Sequence, residues 1–279
     1  MTNVMRKGMF CVFLMAVLAA IPGCKGSGKV CGWVQDGEGN VVPLVKVSLP
    51  DGTATHTDGH GFFSFDSVPM GKTTIQFAFD GHVPASQQVK VKKDSLVSIT
   101  QVMDESVGVG DIADAAAGGQ AKDAAGNALV LPANAVQGSD AKSVSGSLDV
   151  EITAVHSDNP ESMNLFAGSF KLDAGLLGDD AALEAYGAVN VQVTQGGSPV
   201  TLAGDARAEV QVALPSGTGL QEGDAVAAWH FNADMGHWNA NGEGTVTRRE
   251  DGTLVVAVQI DTFGWWCCGH VLEAPHCIN

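Results

Sequence analysis

Six cysteines and eight histidines are the side chains of this 279-residue sequence best suited to bind a metal or act as nucleophile and base. Cys267, Cys268 and Cys277 lie near His270 and His276, a donor set that could hold zinc. No cysteine pair has the C-x₂₋₄-C spacing of a structural zinc site, so no metal is expected. The remaining histidines, such as His56, His60 and His82, are scattered through turn-like segments and read as solvated. Gly71-Lys72-Thr73 invites a phosphate-loop reading, but the glycine required five residues earlier is Asp66, and the strand-like Thr74 to Phe79 stands where a helix must start. Asp36-Gly37-Glu38-Gly39-Asn40 offers oxygens at alternate positions, as calcium loops do, yet the twelfth position is Val47 rather than Glu. H-E-x-x-H, G-x-S-x-G and C-x-x-C are absent. The chain is therefore expected not to be an enzyme and to need no cofactor; an enzyme of unrecognised type is the rival reading.

Aromatic side chains are the other candidates. Trp229, Phe231 and Trp238 flank a predicted hairpin turned by Asn232 to Gly236, and a strand would send Trp265 and Trp266 to opposite faces. One of that pair is expected to point outward. Exposed indoles stack on sugars and anchor interfaces, which makes Trp238 and Trp266 the candidate ligand-binding residues; burial in a core is the alternative.

The elements that must position these side chains are strands. Val45, Val47 and Leu49 share one face, as do Phe63 and Phe65, then Ile75, Phe77 and Phe79, then Val97 and Ile99, and this period of two defines strands. Asp51-Gly52, Asp58-Gly59-His60-Gly61, Pro69-Met70-Gly71 and Asp80-Gly81 punctuate them with turn residues. Further alternation covers Leu148 to Val155, Ala188 to Val193, Ala208 to Leu214, Val226 to Phe231 and Leu254 to Ile260, with a hairpin signal at Asp123 to Asn127. Only Ala181 to Tyr186 hints at a helix. The fold class is all-β, arranged as two β-sandwich domains.

Charge divides the chain similarly. Lys25 to Met103 holds seven lysines and seven acids, whereas Asp104 onward holds six basic residues against 24 acids, a net of −18. Such a chain lacks the clustered cations that tracking a nucleic acid requires, so nucleic acid is excluded as a partner. The step in charge places a linker at 104–117 between a domain at 29–103 and an acidic β-rich domain at 118–279.

The N-terminus carries an address. Arg6 and Lys7 precede an apolar run from Met9 to Ala20, too short for a helix crossing a bilayer of ~30 Å, and Ile21-Pro22-Gly23 then leads into Cys24. An apolar residue three places before a cysteine, with a small residue just before it, resembles the lipobox of bacterial lipoprotein signal peptides, although Pro22 is unusual there. The resemblance implies a signal peptide at 1–23, lipid on Cys24 and a tether at 24–28, with the membrane as a partner through that lipid. An ordinary secretory signal is the alternative, and either implies export. Lys25 after the cysteine, by analogy with enterobacterial lipoproteins, favours the outer membrane of the cell envelope.

A second resemblance covers about 75 residues. Gly32 to Asn40, Val45-Lys46-Val47-Ser48-Leu49, Thr57 to Phe65, Val68 to Ile75 and Gly81-His82-Val83-Pro84 resemble, in order, the carboxypeptidase regulatory-like repeat. This implies a seven-stranded transthyretin/CnaB-like sandwich, also classed as a carbohydrate-binding-like fold, and transfers no chemistry by itself. His270-Val271-Leu272-Glu273 mimics the first zinc ligands of metallocarboxypeptidases, but a third ligand is wanting, so no peptidase site is expected. Gly118-Gly119-Gln120, Leu129 to Val136, Trp229 to Trp238 and Phe263 to Cys268 resemble the larger sandwich that follows such repeats in bacterial surface lipoproteins and in cartilage intermediate layer protein. In those relatives a cysteine and spacer after this sandwich lead into a further repeat, so Cys277 to Asn279 reads as the stub of a lost repeat or as a plain terminal strand.

With Cys11 removed in the signal and Cys24 lipidated, Cys31, Cys267, Cys268 and Cys277 remain, an even number suited to disulfides in an oxidising compartment. Analogy with the same relatives implies Cys268 to Cys277, which leaves Cys267 to Cys31 if the domains pack so. The expected function is a non-catalytic, lipid-anchored envelope protein acting as adhesion, spacer or binding module, its partner a glycan or another envelope protein. The alternative is a carbohydrate-binding module on the cell surface.

Overall fold

The computed structural model describes residues 26–106, 108–156 and 182–272, and among them the chain is all-β, without an α-helix. The first seven strands are β1 (Ser27–Gln35), β2 (Lys46–Ser48), β3 (Ala54–His56), β4 (Phe62–Pro69), β5 (Gly71–Ala78), β6 (Ala85–Val91) and β7 (Leu96–Val102). They form a three-stranded sheet in the order β4-β1-β7, with β1 and β7 parallel, and a four-stranded sheet in the order β3-β2-β5-β6. Alternation sends Val30 and Val34 of β1, Phe63 and Phe65 of β4, and Ile75 and Phe77 of β5 into one core between the sheets, closed by Met103. Aspartates set the turns: Asp36 accepts from the backbone N–H groups of Glu38 and Asn40, and Asp58 from those of His60 and Phe62, with Gly39 and Gly61 at positive φ. Asp36 also accepts from Asn40 Nδ2, so its carboxylate serves as a turn cap. Gly71-Lys72-Thr73 opens strand β5.

The chain continues through β8 (Gly108–Ile112), β9 (Gly119–Lys122), β10 (Ala128–Leu131), β11 (Val136–Gln137), β12 (Leu148–His156), β13 (Ala182–Gln195), β14 (Ser198–Pro199), β15 (Thr201–Leu202), β16 (Ala208–Ala213), β17 (Ala225–Asn232), β18 (His237–Arg248), β19 (Leu254–Ile260) and β20 (Gly264–Leu272). Apart from the small β11–β15 pair, these build one eleven-stranded sheet in the order β8-β12-β13-β20-β17-β18-β19-β16-β10-β9, with β14 on β13. Its two ends meet, because a side chain at Gly119 of β9 would stand 3.1 Å from Ile112 Cγ2 of β8. The sheet thus folds over a core that includes Leu129, Leu148, Val191, Val210, Val258 and Trp266. Residues 108–112, read as part of a linker, form its edge strand β8, and Ala182 to Tyr186, read as helical, lies in the long strand β13. The helical reading fails because Leu183 is buried and Ala182 to Ala185 pair with β20, Tyr186 lying at a register shift, a tertiary contact that overrides weak local propensity.

A third buried cluster joins the two bodies. Val83, from the loop before β6, packs with Trp229, Phe231, Trp238, Trp265 and Cys267. Around it Gln76 Nε2 donates to Asp234 Oδ1 at 2.8 Å, Gln88 Nε2 to the Met235 carbonyl at 3.1 Å, and Trp265 Nε1 to the Pro84 carbonyl at 3.4 Å. The tip of the β17–β18 hairpin therefore lies on the outer, polar face of β5 and β6. At its closest a side chain on Gly236, whose φ is 69°, would come within 2.8 Å of Thr74 Oγ1.

Candidate functional site

The structure corrects the two tryptophans singled out from sequence. Trp238 is 0% exposed and packs on Phe231 at 5.2 Å between ring centres; Trp266 is 1% exposed, in the main core, with Nε1 donating to the Thr262 carbonyl at 3.0 Å. Trp265 and Trp266 do lie on opposite faces of β20, but neither points outward. At this place one face is covered by the folded-over sheet and the other by Val83 and Pro84 of the first body. The exposed indole is Trp33, 45% accessible on the outer face of β1 beside Phe62.

The cysteines are also corrected. Cys31, Cys267 and Cys268 are free thiols, so the Cys31–Cys267 pairing is not made. Cys31 lies on the outer face of the β4-β1-β7 sheet, whereas the second body docks on the other sheet, through β5 and β6. Cys267 is buried in the joint and Cys268 in the main core. Burial pushes Cys267 well above the usual thiol value and Cys268 up to about 12, so both stay protonated and unreactive at neutral pH. The implied partner Cys277 and the lipidation candidate Cys24 lie outside the described residues, as does His276. His270, weighed as a zinc ligand, faces Glu184 Oε2 at 2.9 Å through Nε2 and the Tyr186 hydroxyl at 3.1 Å through Nδ1, on an exposed stretch of β13 and β20.

A cavity of about 530 Å³ opens where the large sheet forks. Strand β20 begins at Gly264, opposite Val191, and β17 pairs with it only over Ala228 to His230. Beyond that point β13 and β17 run on unpaired with each other, only the two-residue β14 lying along β13 at Thr194 and Gln195, and the gap is walled by Asn190 to Thr194 on one side and His230 to Asp234 on the other. Pro84 of the first body, Pro199, Val200, Phe263 and Trp265 complete the lining.

Its polar groups are unusual. Asn190 is 2% exposed, yet its Nδ2 has no hydrogen-bond partner, and the buried Nε2 of Gln192 on the same face of β13 also lacks one. Thr153 Oγ1, beside Asn190 across the β12–β13 pair, is in the same condition. A buried donor left unmade costs about 1–3 kcal/mol, so a row of such groups is a feature to explain. The titratable side chains lining the cavity are His230 and Asp234. Burial holds His230 below the ordinary imidazole value, Asp261 opposing the shift, and its ring leans on Trp266 at 4.9 Å. Asp234 stands at the exposed rim, where it accepts from Gln76. Sequence analysis marked Ala188 to Val193 only as an alternating stretch and singled out neither amide; the available signal is an amide pair set amid Val189, Val191 and Val193.

The family model for FAM171A1/A2/B, N-terminal, matches residues 131–270, half of the chain. The chain belongs to that family. The FAM171A1/A2/B N-terminal match contains every lining residue of the cavity except Pro84. No curated protein matches. Among solved structures, a Bacteroides fragilis protein described as membrane-associated is 9% identical, with a TM-score of 0.24, over 88% of this chain and 98% of its own. The major pilin subunit BcpA of Bacillus cereus is 10% identical, with a TM-score of 0.26, over 84% and 95%. A Bacteroides uniformis protein described as carbohydrate-binding is 11% identical, with a TM-score of 0.24, over 80% and 99%.

Proposed function

We propose that the protein is a non-catalytic, lipid-anchored protein of the cell envelope, tethered at the outer membrane through Cys24, whose two β bodies act as an adhesion, spacer or binding module. The first body is read as a seven-stranded transthyretin/CnaB-like sandwich, a reading that the three-plus-four arrangement of β1–β7 supports. The observation that carries the functional reading is the joint. Val83 seated among four aromatic side chains, with Gln76 and Gln88 bonded to the hairpin tip, makes a stiff two-body unit behind a short tether. A spacer needs such stiffness. The net charge of −18 from Asp104 onward keeps the outer body off anionic headgroups, which suits projection from a membrane. A glycan-binding role is the second reading, favoured by the cavity at the fork.

Isolation from membranes tests the anchor. The mature chain should begin at Cys24 and carry the added mass of acyl chains, and Cys24→Ala should move it to the soluble fraction. A soluble product retaining residues 1–23 would overturn the address. Val83→Asp, which puts an unpaired carboxylate among the indoles, should part the bodies and lengthen the particle in small-angle scattering without changing fractionation. An unchanged particle would remove the spacer reading.

A further inference from the structure

The lysines of the first body are gathered at one end. Lys29, Lys72, Lys90, Lys92 and Lys93 lie where the chain enters β1, whereas Lys46, opposite Ala78, lies toward the other end. Two turns build the lysine end. The Met70 N–H, between β4 and β5, donates to the Gly26 carbonyl at 3.1 Å, and the Asp94 N–H, between β6 and β7, donates to the Ser27 carbonyl at 2.9 Å. A side chain on Gly26 would stand 2.9 Å from Lys93 Cγ and 3.1 Å from Met70 Sδ, so Met70 and Lys93 flank the entering chain. Lys72 and Lys90 face each other directly across β5 and β6, a placement in which like charges destabilise a sheet. Among the described residues only Lys29 of the five forms an ion pair, with Asp66. The other acids on this side are Asp94 in the turn itself and Asp51 in the β2–β3 turn, where it accepts from the Thr53 N–H. Asp36, Glu38, Asp58 and Asp80 occupy turns at the opposite end. Two apolar side chains stand out beside the lysines, Met70 at 48% and Leu96 at 65% exposure.

We propose that this end is a membrane-docking surface, on which Lys72, Lys90, Lys92 and Lys93 bind the phosphates of anionic phospholipids while Met70 and Leu96 enter the interface. Charge and place choose the occupant. A chain of net charge −16 concentrates here lysines that the fold leaves without carboxylate partners, and a phosphate-bearing surface relieves the Lys72–Lys90 opposition. Gly26 is two residues from Cys24, a span of at most about 7 Å and shorter than the Debye length of ~8 Å, so a bilayer holding Cys24 lies within the field of these lysines. A second copy, whose acidic body is also a charge complement, would have to approach from the side the bilayer occupies. The proposal rests on the lipid-anchor reading for that placement. It adds orientation to the tether, with the lysine end held down and the acidic body directed away.

The test is co-sedimentation of residues 25–279 with vesicles of phosphatidylcholine alone or mixed with phosphatidylglycerol. That chain keeps every described strand and lacks both the apolar run and Cys24. It should bind the mixed vesicles and not the neutral ones, and added salt should release it. A lysine near an anionic surface is worth about fivefold in partitioning, so Lys92→Gln combined with Lys93→Gln should weaken binding roughly twentyfold. Lys46→Gln, at the far end, should leave it unchanged. Leu96→Ser should weaken it severalfold with melting unchanged, because that side chain is exposed. Failure to bind the mixed vesicles, equal binding to the neutral ones, or an equal loss in Lys46→Gln would overturn the proposal. So would self-association without vesicles that the Lys92→Gln and Lys93→Gln pair abolishes, since a second copy would then be the occupant. Residues 25–279 carry no acylation site, so failure of the docking surface leaves the membrane fractionation of Cys24→Ala intact, and failure of the anchor leaves vesicle binding to stand.

Discussion

The two bodies solve the same physical problem with different means, and the contrast locates what each is for. In both, aspartates cap the turns, Asp36 and Asp58 in the first and Asp123 and Asp251 in the second. In both, one buried polar side chain latches a turn to a strand. Thr57 Oγ1 donates to the Val42 carbonyl and accepts from the Val45 N–H; Asn127 Oδ1 accepts from the Ala213 N–H while Nδ2 donates to Asp123. The differences lie in charge, sheet and aromatic type. The first body balances its charges, stacks two sheets over phenylalanines and turns a polar strand face to its neighbour. The second is strongly acidic, wraps one sheet over its core, places four of the five tryptophans there, and opens a fork in that sheet. Unmet hydrogen-bonding capacity follows this division. In the first body Ser86 Oγ and Gln87 Oε1 lie on β6, the strand at the joint, whereas in the second Asn190 and Gln192 lie at the cavity. The first body is built to be docked upon; the second has room for something else.

Core truncation should separate the two most sharply. Phe63→Ala and Trp238→Ala each remove a buried ring and should each cost about 3–5 kcal/mol. Trp33 is the first body's only tryptophan, so on a Trp33→Phe background indole fluorescence reports the second body alone. In urea, Trp238→Ala should lower that fluorescence midpoint, whereas Phe63→Ala should lower the circular-dichroism midpoint first. Coincident shifts for both variants would mean that the joint makes the two bodies one cooperative unit.

How much of this was legible in the sequence depends on which neighbour each residue answers to. Local features were readable. The D-x-x-G turns, the Asn232 to Gly236 hairpin and most strands appear where alternation and glycine corners put them, because these depend on residues a few places apart. The joint was not. Thr74, Gln76 and Gln88 have the polar character of a solvated strand face, and nothing in their spacing reveals that a hairpin some 150 residues later covers them. Trp238 and Trp266 failed as ligand residues for the same reason: a strand pattern says which side chains share a face, not whether that face is covered. Asn190 shows the converse, since a polar residue in an alternating strand defaults to solvent until the second layer is known.

The latches should sharpen the comparison at smaller scale. Thr57→Val leaves the Val45 N–H without its acceptor, and Asn127→Leu does the same to the Ala213 N–H, so each should cost about 1–3 kcal/mol. The expected signature is local as well as global. Amide exchange should rise at Val45 in the first variant and at Ala213 in the second. Exchange rising equally in both bodies for either variant would remove the idea of two separate latches.

The smallest effect, and the one that best distinguishes the bodies, is acid sensitivity. Hydrogen bonds from turn N–H groups and Asn40 hold Asp36 and Asp58 below the usual carboxylate range, as they do Asp114 in the second body. A carboxylate depressed in the folded state contributes stability that is full above the unfolded value, ~3.9, and is lost as pH falls through the folded one. Both bodies should therefore weaken below about pH 4, modestly, since these groups are exposed. The second body carries His230 as well. Because burial lowers its folded value, the unfolded chain takes up a proton that the folded chain resists, so stability present above ~6.5 declines as pH falls through that value. Between pH 7 and 5 the fluorescence midpoint of the second body should thus fall while that of the first stays level. His230→Gln, which removes the titration, should flatten the second body's profile over that window. A decline that persists in His230→Gln would assign the acid sensitivity elsewhere, and a parallel decline in both bodies would show that the joint, not the fork, carries it.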